Sequence, residues 1–317
     1  MSTPGASTPH LSDGFVHQAL LYAGESGFVD GTLPFIQAAL TRKEPILVAV
    51  GVPKIDRLRS RLGDAAEAVH WIDMAGIGGN PARIIPLWTH FAARHGGRGL
   101  VWGIGEPIWA GRTAAELVES QRHEALLNVA FAGGPALRLL CPYDTAALDS
   151  AVIAEAHRSH PLMVDGASEW PSTDYLGTKA SAAPFESPLP EPVGEVQVFA
   201  LAEASPLAIW RFVARQASDA GLASSQTDDM VVSVVAASES LAQGGDHGTL
   251  RIWRDLEALI CEVRYPGQLG DPMAGRKWPS SGDQGGGLWV ANQLCDLVEL
   301  RPGVGGTTIR LHVDLRG

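Results

Sequence analysis

Gly282-Asp283-Gln284-Gly285-Gly286-Gly287-Leu288-Trp289-Val290-Ala291-Asn292-Gln293-Leu294-Cys295-Asp296 is a glycine-led run that opens an apolar-periodic segment. Leu288, Ala291, Asn292 and Cys295 recur at helical spacing, which predicts a helix with the three glycines at its start. Free N–H groups and the positive end of the helix dipole favour an anion there, and glycine lets a phosphate approach the main chain. The bland alternative is a plain loop-to-helix junction. Upstream, Val196–Ala200 reads as a strand and Ser205-Pro206 as a helix cap, with the helix running to about Ala220. A second helix follows from Ser225 through Met230 to Leu241. The turn at 244–248 leads into an antiparallel pair, Thr249–Arg254 and Leu259–Arg264, and Thr307–Val313 forms a closing strand.

The first half has a different rhythm. His17–Tyr22, Pro45–Val52, Val69–Met74, Gly99–Gly105, Ala136–Cys141 and Pro161–Val164 are short apolar runs. They alternate with helical patterns at Phe28–Leu40, Lys54–Leu62, Ala82–His95, a Thr113/Glu116 capping box, and Ala146–His157. Strands alternating with helices predict a mostly parallel sheet flanked by helices, with its ligand crevice outside the carboxyl ends of the strands. The layout is that of a P-loop protein, yet no P-loop follows the first strand: after Tyr22 the chain reads Ala23-Gly24-Glu25-Ser26-Gly27-Phe28. The expectation is therefore an α/β protein of two units: a leader over 1–12, a parallel α/β unit over 13–165, a Pro/Ser/Gly-rich linker over 166–193, and an α/β sandwich over 194–317.

Composition limits the function. The 317 residues are 45% apolar and 19% charged, with a net charge of −11 and no basic cluster, which argues against direct nucleic-acid binding. No apolar run reaches the ~18 residues of a membrane span, and Met1–Pro9 lacks the apolar centre of a signal peptide. Cys141, Cys261 and Cys295 lie far apart without a CxxC, so reduced thiols, a cytoplasmic location and no metal site are expected.

The second half resembles the GHKL (Bergerat) ATPase domain of actinobacterial serine-kinase anti-sigma factors. The resemblance covers about 194–315 and is carried by Gly248–Arg254, Glu262–Arg264, Asp271–Arg276, Gly286–Asp296 and Gly306–His312. The first half resembles the MEDS sensory domain, through His17–Tyr22, Gly105–Arg112, His123–Asn128, Cys141–Asp144 and His160-Pro161. The kinase resemblance implies ATP and Mg²⁺ as cofactors, a sigma factor or an anti-sigma antagonist as partner, and homodimerisation. Its motifs are degraded, however. The catalytic Glu and the Mg²⁺-ligating Asn of the family fall at Val235 and Glu239; a one-turn shift would make Glu239 the base and Gln243 the ligand. The adenine-binding Asp-x-Gly is replaced by Tyr265-Pro266-Gly267, whose phenol ring would fill the adenine space.

The sequence therefore predicts a pseudokinase: a cytoplasmic, anti-sigma-factor-like regulator of transcription whose sensory unit takes a small molecule. The degenerate nucleotide site would consist of Glu239, Tyr265, Gly267, Asp271, Gly275, Gly285, Gly286 and Gly287. Candidates for the sensory pocket are His17, Tyr22, Glu106, Trp109, Arg112, His123, Glu124, Cys141 and Tyr143. Two rival readings stand beside it: an active serine kinase relying on Glu239, and a small-molecule-binding protein or catalyst built on the Glu106/Arg112/His123/Cys141 neighbourhood. Against each site reading stands a structural one: His17 and Cys141 as core residues, and Glu239 as a solvated charge.

Overall fold

Continuous apolar runs in the first half become strands covered on both faces, as parallel strands require. The computed structural model describes residues 14–166, 168–177, 185, 187–202, 204–242, 248–280, 285–303 and 305–315. The leader over 1–12, most of 178–186, Gln243, the turn at 244–247 and Gly282–Gln284 lie outside the described residues. In chain order the first unit comprises β1 (Phe15–Tyr22), α1 (Gly24–Arg42), β2 (Ile46–Val50), α2 (Val52–Leu62), β3 (His70–Asp73), α3 (Met74–Gly78), α4 (Ile84–His95) and β4 (Val101–Gly105). It continues through α5 (Ala114–Ala130), β5 (Leu137–Asp144), α6 (Ser150–Ser159), β6 (Leu162–Asp165) and β7 (Ser168–Pro171).

These strands form one seven-stranded sheet in the order β3-β2-β4-β5-β1-β6-β7, parallel throughout except for β7. The alternating side chains split the core in two. Ala19, Leu139, Cys141 and Tyr143 pack with α4, α5 and α6. Leu20, Tyr22, Val48 and Leu140 pack with α1 and α2 on the opposite face.

β7 corrects the expectation of a linker from 166. Ser168-Glu169-Trp170-Pro171 is exposed and carries no apolar alternation, so no hydrophobic signal marks it. Backbone pairing to β6 holds it at the edge, where a proline is tolerated. Arg138 Nη2 donates to Glu169 Oε2 at 2.8 Å and ties it down further.

The second unit comprises β8 (Gln197–Ala200), α7 (Pro206–Ala220), α8 (Ser224–Ala242), β9 (Thr249–Arg254), β10 (Ala258–Tyr265), α9 (Gly286–Leu294), β11 (Leu297–Gly303) and β12 (Gly306–Asp314). Its five strands form an antiparallel sheet in the order β11-β12-β10-β9-β8, with α7, α8 and α9 packed on one face. The strand β11 has no counterpart among the predicted elements. Its inward residues Val298 and Leu300 alternate with Glu299 and Arg301, which are buried charges that disguise it.

The two units meet along α5 and α9. The α5 helix is capped by Thr113 Oγ1, which accepts from the Glu116 N–H, while Glu116 Oε2 accepts from the Thr113 N–H. From Glu119 to Asn128 every residue except Gln121 is buried, because one face meets the parallel sheet and another meets the second unit. At the carboxyl end of α9, Arg83 Nε donates to the Asn292 carbonyl at 2.7 Å and Nη2 to that of Cys295 at 2.8 Å. Those are carbonyls that a helix end leaves without intrahelical partners.

Candidate functional site

The β1, β5 and β6 strands lie side by side with α5 across one face, and this places four distant residues together. His17 comes from β1, Cys141 from β5, His160 from the residue cluster just before β6, and Glu124 from α5; all four are buried. One ligand atom from each lies within 4.8 Å of every other. His17 Nε2 is 3.1 Å from Glu124 Oε2, His160 Nε2 is 3.3 Å from the same oxygen, and Cys141 Sγ is 3.4 Å from His17 Nε2. The imidazole rings of His17 and His160 lie 4.0 Å apart, and Tyr143 meets His160 edge-on.

The outer ring nitrogens settle the tautomers. His160 Nδ1 sits 2.9 Å from the Ala156 carbonyl, which only accepts, so that nitrogen carries hydrogen. Asn128 Nδ2 donates to the Ser159 carbonyl, which turns Asn128 Oδ1 toward His17 Nδ1 at 3.2 Å and makes that nitrogen a donor too. Both Nε2 atoms therefore aim into the cluster. Burial, reinforced by His160, pulls the His17 imidazole down to about 4. For Glu124 burial alone would raise the carboxyl, but the adjacent His160 and His17 imidazoles outweigh it and hold it well below the carboxylate range. Burial and the neighbouring Glu124 push the Cys141 thiol well up.

The remaining sensory candidates stand elsewhere. Tyr22 and Glu106 lie at the carboxyl ends of β1 and β4, on the α1/α2 side: Tyr22 Oη donates to Glu106 Oε1 at 2.7 Å, and Lys54 Nζ from α2 reaches the same oxygen at 2.5 Å. Burial raises the Glu106 carboxyl, against the pull of Lys54. Arg112 stacks on Trp109 at 3.6 Å and donates to the carbonyls of Pro107 and Gly78, so both brace the loop after β4. His123 is buried on α5, and burial holds it down at about 3. The nine candidates thus form separate groups, and Lys54 and His160 join them from outside the prediction. His160 carried a signal in sequence, standing with Pro161 at the head of a strand.

In the second unit, the glycine-led helix leans on α8. A Cβ on Gly287 would fall 1.9 Å from the Ala236 carbonyl oxygen, and the Gly287 N–H donates to Ser240 Oγ at 3.1 Å. Protein backbone occupies the close approach that glycine permits. Gly285 is the N-cap, and Gly286 opens the helix beside Pro279. The Tyr265 ring is buried in the core against Gly248, where a Cβ would lie 2.4 Å from it. The Gly267 carbonyl accepts from Thr307 Oγ1, and Asp271 pairs with Lys277 and caps its own turn. Gly275 adopts φ +72° beside Asn292, and Glu239 is exposed on α8. The segment 271–276 docks on the first unit: Met273 joins the core beneath α4 and α5, and Arg276 donates to Glu119 Oε2 at 2.6 Å.

Compared with families of known proteins, residues 16–161 match the MEDS domain, the methanogen/methylotroph, DcmR sensory domain. The amino-terminal unit is therefore similar to a MEDS domain. The chain matches none of the curated proteins with which it was compared. Among the described residues no helix is long and apolar enough to cross a membrane.

Proposed function

We infer that the chain is a signalling regulator in which the MEDS domain governs a degenerate GHKL-like unit that acts by protein contact, in the manner of an anti-sigma factor, with a sigma factor or an anti-sigma antagonist as partner. The observation that carries this reading is the docking of 271–276 on the sensory unit. Arg276 and Arg301 of the second unit both donate to Glu119 on α5, the helix that also supplies Glu124 to the buried cluster. A change at the sensory face of α5 thereby alters the contacts of the second unit, which is the differential interaction a two-state switch requires. Two observations favour contact over phosphoryl transfer: the Tyr265 ring is packed into the core, and Val235 stands where a base is needed.

Calorimetric titration of the full chain with ATP and Mg²⁺ tests the reading. No binding is expected from the natural protein, whereas the triple variant Val235→Glu, Glu239→Asn, Tyr265→Asp gains it. Binding and turnover by the natural protein, abolished by Glu239→Gln, would establish the serine kinase instead.

A further inference from the structure

We propose that His17, Glu124, Cys141 and His160 form a closed binding site for one divalent first-row transition ion, with Zn²⁺ the best match. Hydrogen-bond bookkeeping carries the argument. Both imidazoles place their N–H on outer acceptors, Asn128 Oδ1 and the Ala156 carbonyl, so each presents a bare Nε2 lone pair to the centre. The carboxylate of Glu124 presents another, and its second oxygen, Oε1, is buried without a hydrogen-bond partner; His160 Nε2 is likewise without one. Against these lone pairs the cluster holds one hydrogen, that of the Cys141 thiol. Converging acceptors in a dry interior repel one another unless a cation stands between them.

The geometry fits such an ion. Zn–N bonds of about 2.0–2.1 Å and Zn–S bonds of about 2.3 Å in a tetrahedron put the ligand atoms roughly 3.3–3.7 Å apart. Three of the six separations, 3.1, 3.3 and 3.4 Å, stand at or just below that range, and all six are within 4.8 Å. The outer contacts are those of metal-bound histidines, whose free N–H goes to a carbonyl and thereby fixes the ring. Charge also closes. On binding, Cys141 releases its proton to solvent, and one thiolate, one carboxylate and two neutral imidazoles balance a divalent ion to zero. Without an ion, the buried Glu124 carboxylate faces two neutral imidazoles, and no lysine or arginine among the described residues pairs with it. Nitrogen and sulfur donors select a transition ion over Mg²⁺ or Ca²⁺. Four protein ligands leave no open position, so the ion ties β1, β5, α5 and the start of β6 together. The site stands independently of the signalling role.

Elemental analysis of the purified full chain tests the proposal, followed by unfolding with chelator and refolding with Co²⁺. About one ion per chain is expected, released by chelator only after unfolding because the site is sealed. The cobalt form is expected to show tetrahedral d–d bands and a thiolate-to-cobalt charge-transfer band. Cys141→Ser removes the charge-transfer band and His160→Gln lowers metal content, while Cys261→Ser, distant from the cluster, keeps both. A natural protein that is folded by circular dichroism, carries no metal and takes up neither Zn²⁺ nor Co²⁺ on refolding overturns the proposal. So does an unchanged cobalt spectrum in Cys141→Ser. The spectrum of the unaltered protein decides the matter even where a variant does not fold.

Discussion

Replacing Glu119 by Gln tests whether the contact between the two units rests on one buried charge. Glu119 Oε1 accepts from Arg301 at 2.5 Å and Oε2 from Arg276 at 2.6 Å, with Arg122 at 3.5 Å on its own helix. Glutamine keeps the shape but removes a carboxylate that three buried guanidinium groups share, and its amide turns a donor toward one of them. Breaking a buried pair on one side costs about 3–5 kcal/mol, because the opposite buried charge is left undercompensated away from water. At roughly 2–4 °C per kcal/mol for a chain of this order, the variant melts at least about 6 °C below the parent. Scanning calorimetry across pH adds a second readout. Burial alone would raise the Glu119 carboxyl, but Arg122, Arg276 and Arg301 outweigh it and hold it below its ordinary value. A depressed carboxyl contributes stability that is present above its unfolded pKa and lost as pH falls through the folded one. The gap between parent and variant is therefore constant at neutral pH and narrows only in acid. A Glu119→Gln protein within about 0.5 kcal/mol of the parent at pH 7 would refute the reasoning, since that is the size of an ordinary surface substitution.

Gly287→Ala places a methyl 1.9 Å from the Ala236 carbonyl and 2.4 Å from Ser240 Oγ, so α8 and α9 must separate; a loss of about 1–3 kcal/mol in urea unfolding is expected, and a parent-like midpoint would mean the helices are not in contact. Glu106 has its carboxyl raised by burial, so the stability it contributes is present below its unfolded pKa, about 4.3, and is lost as pH rises through the raised folded value. Melting temperatures of Glu106→Gln should accordingly rise relative to the parent over that climb, and a difference independent of pH would rule the assignment out.

The alternation of strands and helices in the first half was legible because parallel strands are apolar on both sides, as Ile46–Val50 and Val101–Gly105 are. Helix starts with a chemical signature were legible as well: the Thr113/Glu116 box and the Ser205-Pro206 cap both form. Boundaries slipped where no such mark exists, so that α6 begins at Ser150 rather than Ala146 and β5 continues through Pro142 to Asp144. The buried cluster was legible only one residue at a time. His17, Glu124 and Cys141 stood out singly, but positions 17, 124, 141 and 160 have no motif spacing, and only the order β5-β1-β6 makes them neighbours.

The α5 helix explains why the charged contacts escaped notice. A helix with an apolar stripe announces the one face it buries; α5 mixes Glu119, Arg122, His123 and Glu124 with Ala125, Leu126 and Leu127, and all of them are buried. Read alone, such a segment resembles a solvated helix, because charge normally marks exposure. Here the two carboxylates have destinations in different units. Glu119 and Glu124 are five residues apart, which at about 100° per residue puts them some 140° apart around the axis and about 7.5 Å along it. One carboxylate therefore reaches the guanidinium groups of the second unit while the other reaches the imidazoles under the parallel sheet. Neither can be moved or neutralised without leaving charge or lone pairs buried at its own end. One helix thus carries both carboxylates, one in the buried cluster of the first unit and one against the guanidinium groups of the second.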